Sequence, residues 1–293
     1  VLFTIMRQAV VNFQNTSENP ALLKGTVIDQ DEELAKVGGN GAKMTLRDLN
    51  TFRLMLACIY HDWDTAEQMV DFLEPYLAYD GLVARSHIRS TYMGLASLAL
   101  FRKSGKKKYS KIAKKITKSF KSEASKGSVN AHPILVMLEA EESPSKESYE
   151  KGIRICARLG LIHHEAYLCE RAGVFFLEQK DNGYAEFYLA QACTLYSDWD
   201  ATAKVNAIKK EYSELLDTSS DQHKSGNSAL KGRSRYSARD SVQISEISWS
   251  SFSTGMDGSR SSMRSSITST SSSEDGKSDE GSQAFASVVD WVY

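Results

Sequence analysis

The sequence predicts an all-α protein: an α-α superhelix of stacked helix pairs, followed by a disordered serine-rich C-terminal tail. Three observations point there. The stretch from Ala166 to Tyr212, AYLCERAGVFFLEQKDNGYAEFYLAQACTLYSDWDATAKVNAIKKEY, reads as two helices joined by a short polar turn and followed by a third. Helical periodicity recurs upstream in pairs of about 33 to 47 residues, the period range of helix-turn-helix solenoids. From Thr218 onward that periodicity stops and serine dominates.

Three regions follow from this. Residues 1–46 read as the end of a helix, VLFTIMRQAVVNF, and a leading loop. Residues 47–217 hold the repeats. In the first pair, Arg47 to His61 turns Leu49, Phe52, Leu56 and Ile59 inward, and Asp64 to Tyr79 turns Ala66, Val70, Leu73 and Leu77 inward, with HDWD between them. Residues three and four apart share a helix face, which is why these sets count as stripes. Arg85 to Lys103 and Lys107 to Lys121 form the second pair, broken by Ser104 and Gly105. The third pair runs from Ala131 to Glu141 and from Ser145 to Arg158. It is split by Ser143 and Pro144, because proline ends one helix and is tolerated at the start of the next. The fourth has Leu168, Ala172, Phe175 and Phe176 on one helix and Ala185, Tyr188, Leu189, Ala192, Leu195 and Tyr196 on the other. Asp181, Asn182 and Gly183 mark the reversal, and Ala172, Ala185 and Ala192 fit close helix contact. Ala201 to Leu216 closes the array with Val205, Ile208, Tyr212 and Leu215 inward. Stacking buries faces that no single pair could bury alone.

Composition narrows the function. Apolar residues make up 41% of the 293, but they are sparse in 218–293, too sparse to offset the entropy of ordering that segment. A net charge of -1 gives no global pull toward nucleic acid or membrane. Cys58, Cys156, Cys169 and Cys193 lie in apolar helical patterns without CxxC spacing, so they read as buried reduced thiols. No apolar run reaches the roughly 20 residues needed to span a bilayer, and VLFTIMRQAVVNF is too short and interrupted for a cleavable leader. A cytoplasmic setting is expected. The opening Val1 and the helical run that follows it suggest a piece of a longer chain.

Chemistry is hard to find. GGNGAKMT, Gly38 to Thr45, lacks the contiguous Gly-Lys-Ser/Thr with which a phosphate-binding loop wraps phosphates and meets magnesium, and it reads as a flexible loop. His163, His164 and Glu165 are the one histidine cluster. Neighbours on a helix point about 100° apart, so they cannot easily share a metal, and a surface or helix-capping pair is expected. No Ser-His-Asp grouping or HExxH run appears. No enzyme activity, cofactor or metal site is expected within this chain.

The strongest functional patch is the lysine helix, KSGKKKYSKIAKKITKSFKSEASK. Tyr109, Ile112, Ile116 and Phe120 form its inward stripe, while Lys107, Lys111, Lys114, Lys115, Lys118 and Lys121 spread over the outer side with Glu123 the one opposing charge. This is either a solvated face or a site for an acidic protein, RNA or anionic lipid; no exposed aromatic is interleaved for base stacking. In the tail, Ser237, Ser241 and Ser265 follow arginines and Ser271 and Ser272 precede acids, so all five are candidate phosphorylation sites. The apolar islands VQISEISWSSF and QAFASVVDWVY read as docking motifs or as parts of an inert spacer.

The pairs resemble tetratricopeptide repeats in degenerate form: a small residue with a bulky one four positions on recurs, while most Trp, Gly, Tyr and Pro positions of a regular repeat are missing. A closer resemblance is to the helical region following the ATPase module in large signalling proteins that join a serine/threonine kinase, an AAA-like signal-transduction ATPase and often a histidine kinase or cyclase. That region carries Glu-Arg-Ala, matched by Glu170, Arg171 and Ala172; Ala-x-x-Tyr-Leu, matched by Ala185, Tyr188 and Leu189; and Tyr-x-x-Trp-Gly-Ala-x-Ala-Lys-Val, matched by Tyr196, Trp199, Ala201, Ala203, Lys204 and Val205. Asp200 replaces the glycine. Upstream, NPALLKGTVIDQDEELAKV is similar to the family's lead-in, with Leu23, Gly25, Asp29, Asp31 and Glu32. The likeness covers roughly residues 20 to 216. It implies a regulatory helical arm of a multidomain ATPase or kinase whose activities lie in other modules. The expectation is therefore a non-catalytic interaction region whose concave face holds a protein or peptide partner or another domain of the parent, ahead of nucleic acid. The alternative is an anion-binding protein acting through the lysine helix.

Overall fold

A computed structural model describes residues 1–36, 39–78 and 84–216 of the chain. The tail 218–293, its five candidate serines, Gly38 and Tyr79 lie outside the described residues. The described part is all-helical: α1 (Leu2–Gln14), α2 (Gln30–Lys36), α3 (Gly39–Ile59), α4 (Trp63–Leu73) with a 3-10 extension (Glu74–Ala78), α5 (Ala84–Ser104), α6 (Lys107–Ser125), α7 (Ala131–Glu142), α8 (Lys146–Arg158), α9 (Ile162–Glu178), α10 (Asn182–Asp198) and α11 (Thr202–Glu211). Among the described residues there is no strand, and the one β-bridge pairs Lys24 with Asp29 in the loop before α2.

The helix pairs α3/α4, α5/α6, α7/α8 and α9/α10 stack in chain order as an α-α superhelix. One boundary departs from the sequence reading. GGNGAKMT is not a loop from Gly39 on: α3 starts there, and the boundary at residue 47 falls inside it. Elsewhere the turn chemistry is local. Asp62 caps α4 by accepting from the Thr65 N–H at 3.1 Å, and Asp181 caps α10 by accepting from the Tyr184 N–H at 3.2 Å. Ser145 and Ser148 form a reciprocal capping box on α8 just after Pro144. Many helices end on a left-handed residue one position past the cap. Gly127 and Gly160 fill that position at φ 87 and 69, and His61, Lys180 and Asp200 at φ 57, 61 and 61, while Gly105, at φ 68, follows Ser104 directly. The paired backbone bonds of a Schellman turn close those five, for example Asp181 N–H to Phe176 O and Lys180 N–H to Leu177 O, both 2.9 Å. Asp200 thus stands where a glycine is conformationally preferred.

The first helix of each pair is buried nearly all round. Leu54 to Ile59 on α3, Thr91 to Leu98 on α5, Ile134 to Leu138 on α7 and Ala166 to Glu170 on α9 are unbroken buried runs, the mark of a central rather than a surface helix. The second helices bury one stripe, such as Ala66, Met69, Val70 and Leu73 on α4. The array also curls until its ends meet, α1 packing on both α3 and α11. Phe13 lies 5.2 Å from Trp199 between ring centroids, Gln14 Nε2 donates to Asp200 Oδ2 at 2.6 Å, and the Tyr60 hydroxyl donates to Asn12 O at 3.0 Å. The first helices of the pairs are thus covered by the chain's own side chains.

Candidate binding surface

The lysine helix α6 is built from two opposed strips. At 100° per residue, Tyr109, Ile112, Ala113, Ile116 and Phe120 fall on one side and are buried against the core. Lys107, Lys111, Lys114, Lys115, Lys118 and Lys121 fall within an arc of about 120° centred on the opposite side, along about 21 Å of axis at 1.5 Å per residue. All six are exposed.

Not every lysine here is alike. Those around the start of α6 reach acids on α4: Lys103 Nζ to Asp64 Oδ1 at 2.8 Å, Lys106 Nζ to Glu67 Oε1 at 2.7 Å and Lys108 Nζ to Asp71 Oδ1 at 2.8 Å. The Tyr109 hydroxyl donates to Glu67 Oε1 at 2.6 Å. Hydrogen bonds from Lys106 and Tyr109 hold the Glu67 carboxyl below its usual range, and the hydrogen bond to Asp71 raises the Lys108 ammonium. The six outer lysines have no carboxylate within ion-pair distance among the described residues. Glu123, the one acid expected to oppose them, turns to α5: its Oε2 lies 2.9 Å from His87 Nε2, and the Ser119 hydroxyl donates to its Oε1 at 3.3 Å. The helix N-terminus is the wrong end for cations, since the helix dipole is positive there, and α6 opens without an acid or a side-chain cap. Like charges three and four apart repel. Fold stability therefore does not account for the basic strip.

The other sequence candidates resolve differently. His163 and His164 are neither a surface pair nor a cap: they are half-buried at the start of α9, ring centroids 4.1 Å apart, with His163 stacked on Trp199 at 5.4 Å. The α9 cap residue, Leu161, makes no side-chain capping bond. Burial pulls the His163 pKa down to about 4 and His164 well below the usual histidine value. Among the described residues no group of three or more His, Cys, Asp or Glu side chains is placed to hold a metal ion. The four cysteines are free and buried, and burial pushes every thiol up, Cys156 to about 12. A groove of about 280 Å³ beside α3 and α4, walled by Leu46, Leu49, Met69 and Phe72, holds half-buried Arg53, whose Nε has no hydrogen-bond partner. It offers one cation where α6 offers six.

Two buried carboxylates escaped the sequence reading as partners. Glu141 on α7 receives Arg171 Nε from α9 at 3.0 Å, the Tyr149 hydroxyl from α8 at 3.1 Å and the Arg102 guanidinium from α5. Burial pushes Glu141 up, but Arg171 and Arg102 outweigh it and hold the group below the ordinary range. Glu170 on α9 receives Lys204 Nζ from α11 at 2.6 Å and the Tyr196 hydroxyl from α10 at 3.1 Å. His61 Nε2 sits 3.7 Å away, and Lys204 lies over the Tyr60 ring at 5.4 Å. Burial raises Glu170 despite Lys204. These clusters fasten helices to one another, with both carboxylates buried. No helix among the described residues is long and apolar enough to cross a membrane. Comparison with protein families, with curated proteins and with solved structures found no match.

Proposed function

We propose that this chain is a non-catalytic interaction module, a tetratricopeptide-like helical region of a larger signalling protein, and that it binds an acidic protein segment along the outer face of α6. The observation that carries the reading is a contrast: lysines around the start of α6 are paired with α4 acids, while the six on the outer strip are exposed and have no carboxylate partner among the described residues. An acidic peptide is favoured over RNA because the aromatics of α6, Tyr109 and Phe120, are buried and offer no stacking platform. Membership of a signalling ATPase or kinase rests on the resemblance of residues 20–216 alone.

The test is direct. A fluorescein-labelled twelve-residue polyglutamate peptide titrated into the full chain should bind with an affinity that falls steeply between about 50 and 200 mM salt. Replacing Lys111, Lys114, Lys115 and Lys118 with Gln should remove most of that binding and flatten its salt slope. Binding unchanged by the quadruple substitution would overturn the assignment.

A further inference from the structure

Resting on that reading, we propose that the lysine face is also the docking site of this chain's own segment 271–280, SSSEDGKSDE, once Ser271 and Ser272 carry phosphate. The occupant follows from charge and length. Glu274, Asp275, Asp279 and Glu280 against Lys277 give the segment a formal charge of -3. Two phosphates add about -1.5 to -2 each, bringing it to about -6 to -7 opposite six unpaired lysines. Ten residues span at most about 33–36 Å, enough to lie along a strip of about 21 Å. The other candidate serines fit less well: Ser237 and Ser241 stand beside Arg233, Arg235 and Arg239, and Ser265 beside Arg260 and Arg264, which would offset their phosphates.

The modification has a sequence basis. Glu274 lies three residues after Ser271 and Asp275 three after Ser272, a spacing suited to a kinase that recognises acids. In the transfer, the serine Oγ forms a bond to the γ-phosphorus of ATP as the bond to the ADP oxygen breaks, and the hydroxyl proton is released. The stretch from Leu216 to Ser271 covers up to about 180 Å, against a radius of gyration of about 17 Å for a folded unit of 216 residues, so the segment reaches α6 within one molecule. Tethering raises its effective concentration toward the millimolar range. Phosphorylation thereby closes the face to an acidic partner from outside.

The experiment uses the full chain, prepared by peptide ligation with either serine or phosphoserine at 271 and 272. The phosphoserine form should shift the backbone amide resonances of residues 107–121, with the same shifts after tenfold dilution and their loss at 0.5 M salt. It should bind the polyglutamate probe at least tenfold more weakly than the serine form. Neither change should survive Lys111, Lys114, Lys115 and Lys118→Gln. Amide shifts absent from α6, retained in the Gln variant or dependent on protein concentration would overturn the intramolecular contact. So would phosphorylation that altered binding of phosphatidylserine vesicles or polyuridylate while leaving α6 and the peptide affinity untouched. If the serine form fails to bind the probe at all, the proposed function fails, and the resonance shifts still decide this inference separately.

Discussion

Lys204 and Glu170 form an ion pair of 2.6 Å with side chains 2% and 0% exposed, joining α11 to α9 at the point where the ends of the superhelix converge. Such a pair has lost its hydration, so removing one partner leaves an uncompensated charge. Glu170→Gln should cost about 3–5 kcal/mol, whereas Glu170→Met with Lys204→Met should lie near wild type or above it. Urea unfolding of the wild type, Glu170→Gln and the double variant measures this; a double variant as weak as the single would show that the pair itself supplies net stability.

Glu141 gives the pH dependence. Its folded pKa lies below the unfolded value, so its contribution to stability is complete above the ordinary carboxylate pKa of about 4.3 and is lost as pH falls through the folded value. Glu141→Gln should therefore destabilise the protein by about 3–5 kcal/mol at pH 7. The gap to wild type should narrow below about pH 4. Denaturation midpoints at pH 7, 5 and 3.5 read it, and a gap that widened in acid would contradict the depressed pKa.

Lys180 occupies a left-handed position at φ 61 after α9. A side chain there costs about 1–2 kcal/mol that glycine avoids. Lys180→Gly should raise stability by about 1 kcal/mol, and Gly160→Ala, at φ 69, should lower it by a similar amount. At Asp200 the same relief competes with loss of the bond from Gln14, so Asp200→Gly should change little. Equal midpoints for Lys180→Gly and wild type would mean that the backbone relaxes at this turn.

Gly173 marks a close contact between α9 and α10: an added Cβ would lie 2.7 Å from Leu189 Cγ and 3.3 Å from Ala185 O. Overpacking of about 1–3 kcal/mol outweighs the helix-propensity gain of about 1 kcal/mol. Gly173→Ala should therefore destabilise by about 1 kcal/mol, with Ala192→Leu worse. Gly183→Ala, whose nearest neighbour is Asp181 Oδ1 at 3.7 Å, should be neutral or slightly stabilising. Thermal melts compare the three.

What the sequence reveals of this fold is its short-range part. The inward stripe of α6 is read correctly at Tyr109, Ile112, Ile116 and Phe120, and that of α4 at Ala66, Val70 and Leu73, because three- and four-residue spacing is a local signal. The start of α3 is not legible, since glycines read as helix breakers. Lys180, not Gly183, takes the left-handed turn before α10, because an ordinary residue can be forced there by the helix end it closes. The burial of Arg171, Glu141, Glu170 and Lys204 is invisible for another reason: a polar residue belongs in a core only when its partner is there, and these partners lie 30 and 34 residues apart. The candidate surface was legible as a charge pattern. Which of its lysines are paired was not, because Asp64, Glu67 and Asp71 sit a full helix pair upstream.

The contact of Phe13 with Trp199 changes how the array should come apart. In an open solenoid each unit holds only its neighbours, so terminal units fray first and unfolding spreads along the chain in steps. Here α1 seats on α11, and Gln14 and Asp200 are bonded across 186 residues of sequence. Closing that long a loop carries an entropic cost that must be met before the contact forms, so this seam belongs to the late steps of folding. Once made, it gives the terminal helices a shared melting point. Amide exchange in α1 and α11 should slow together, and Trp199→Ala should loosen both ends at once while leaving α6 as protected as before.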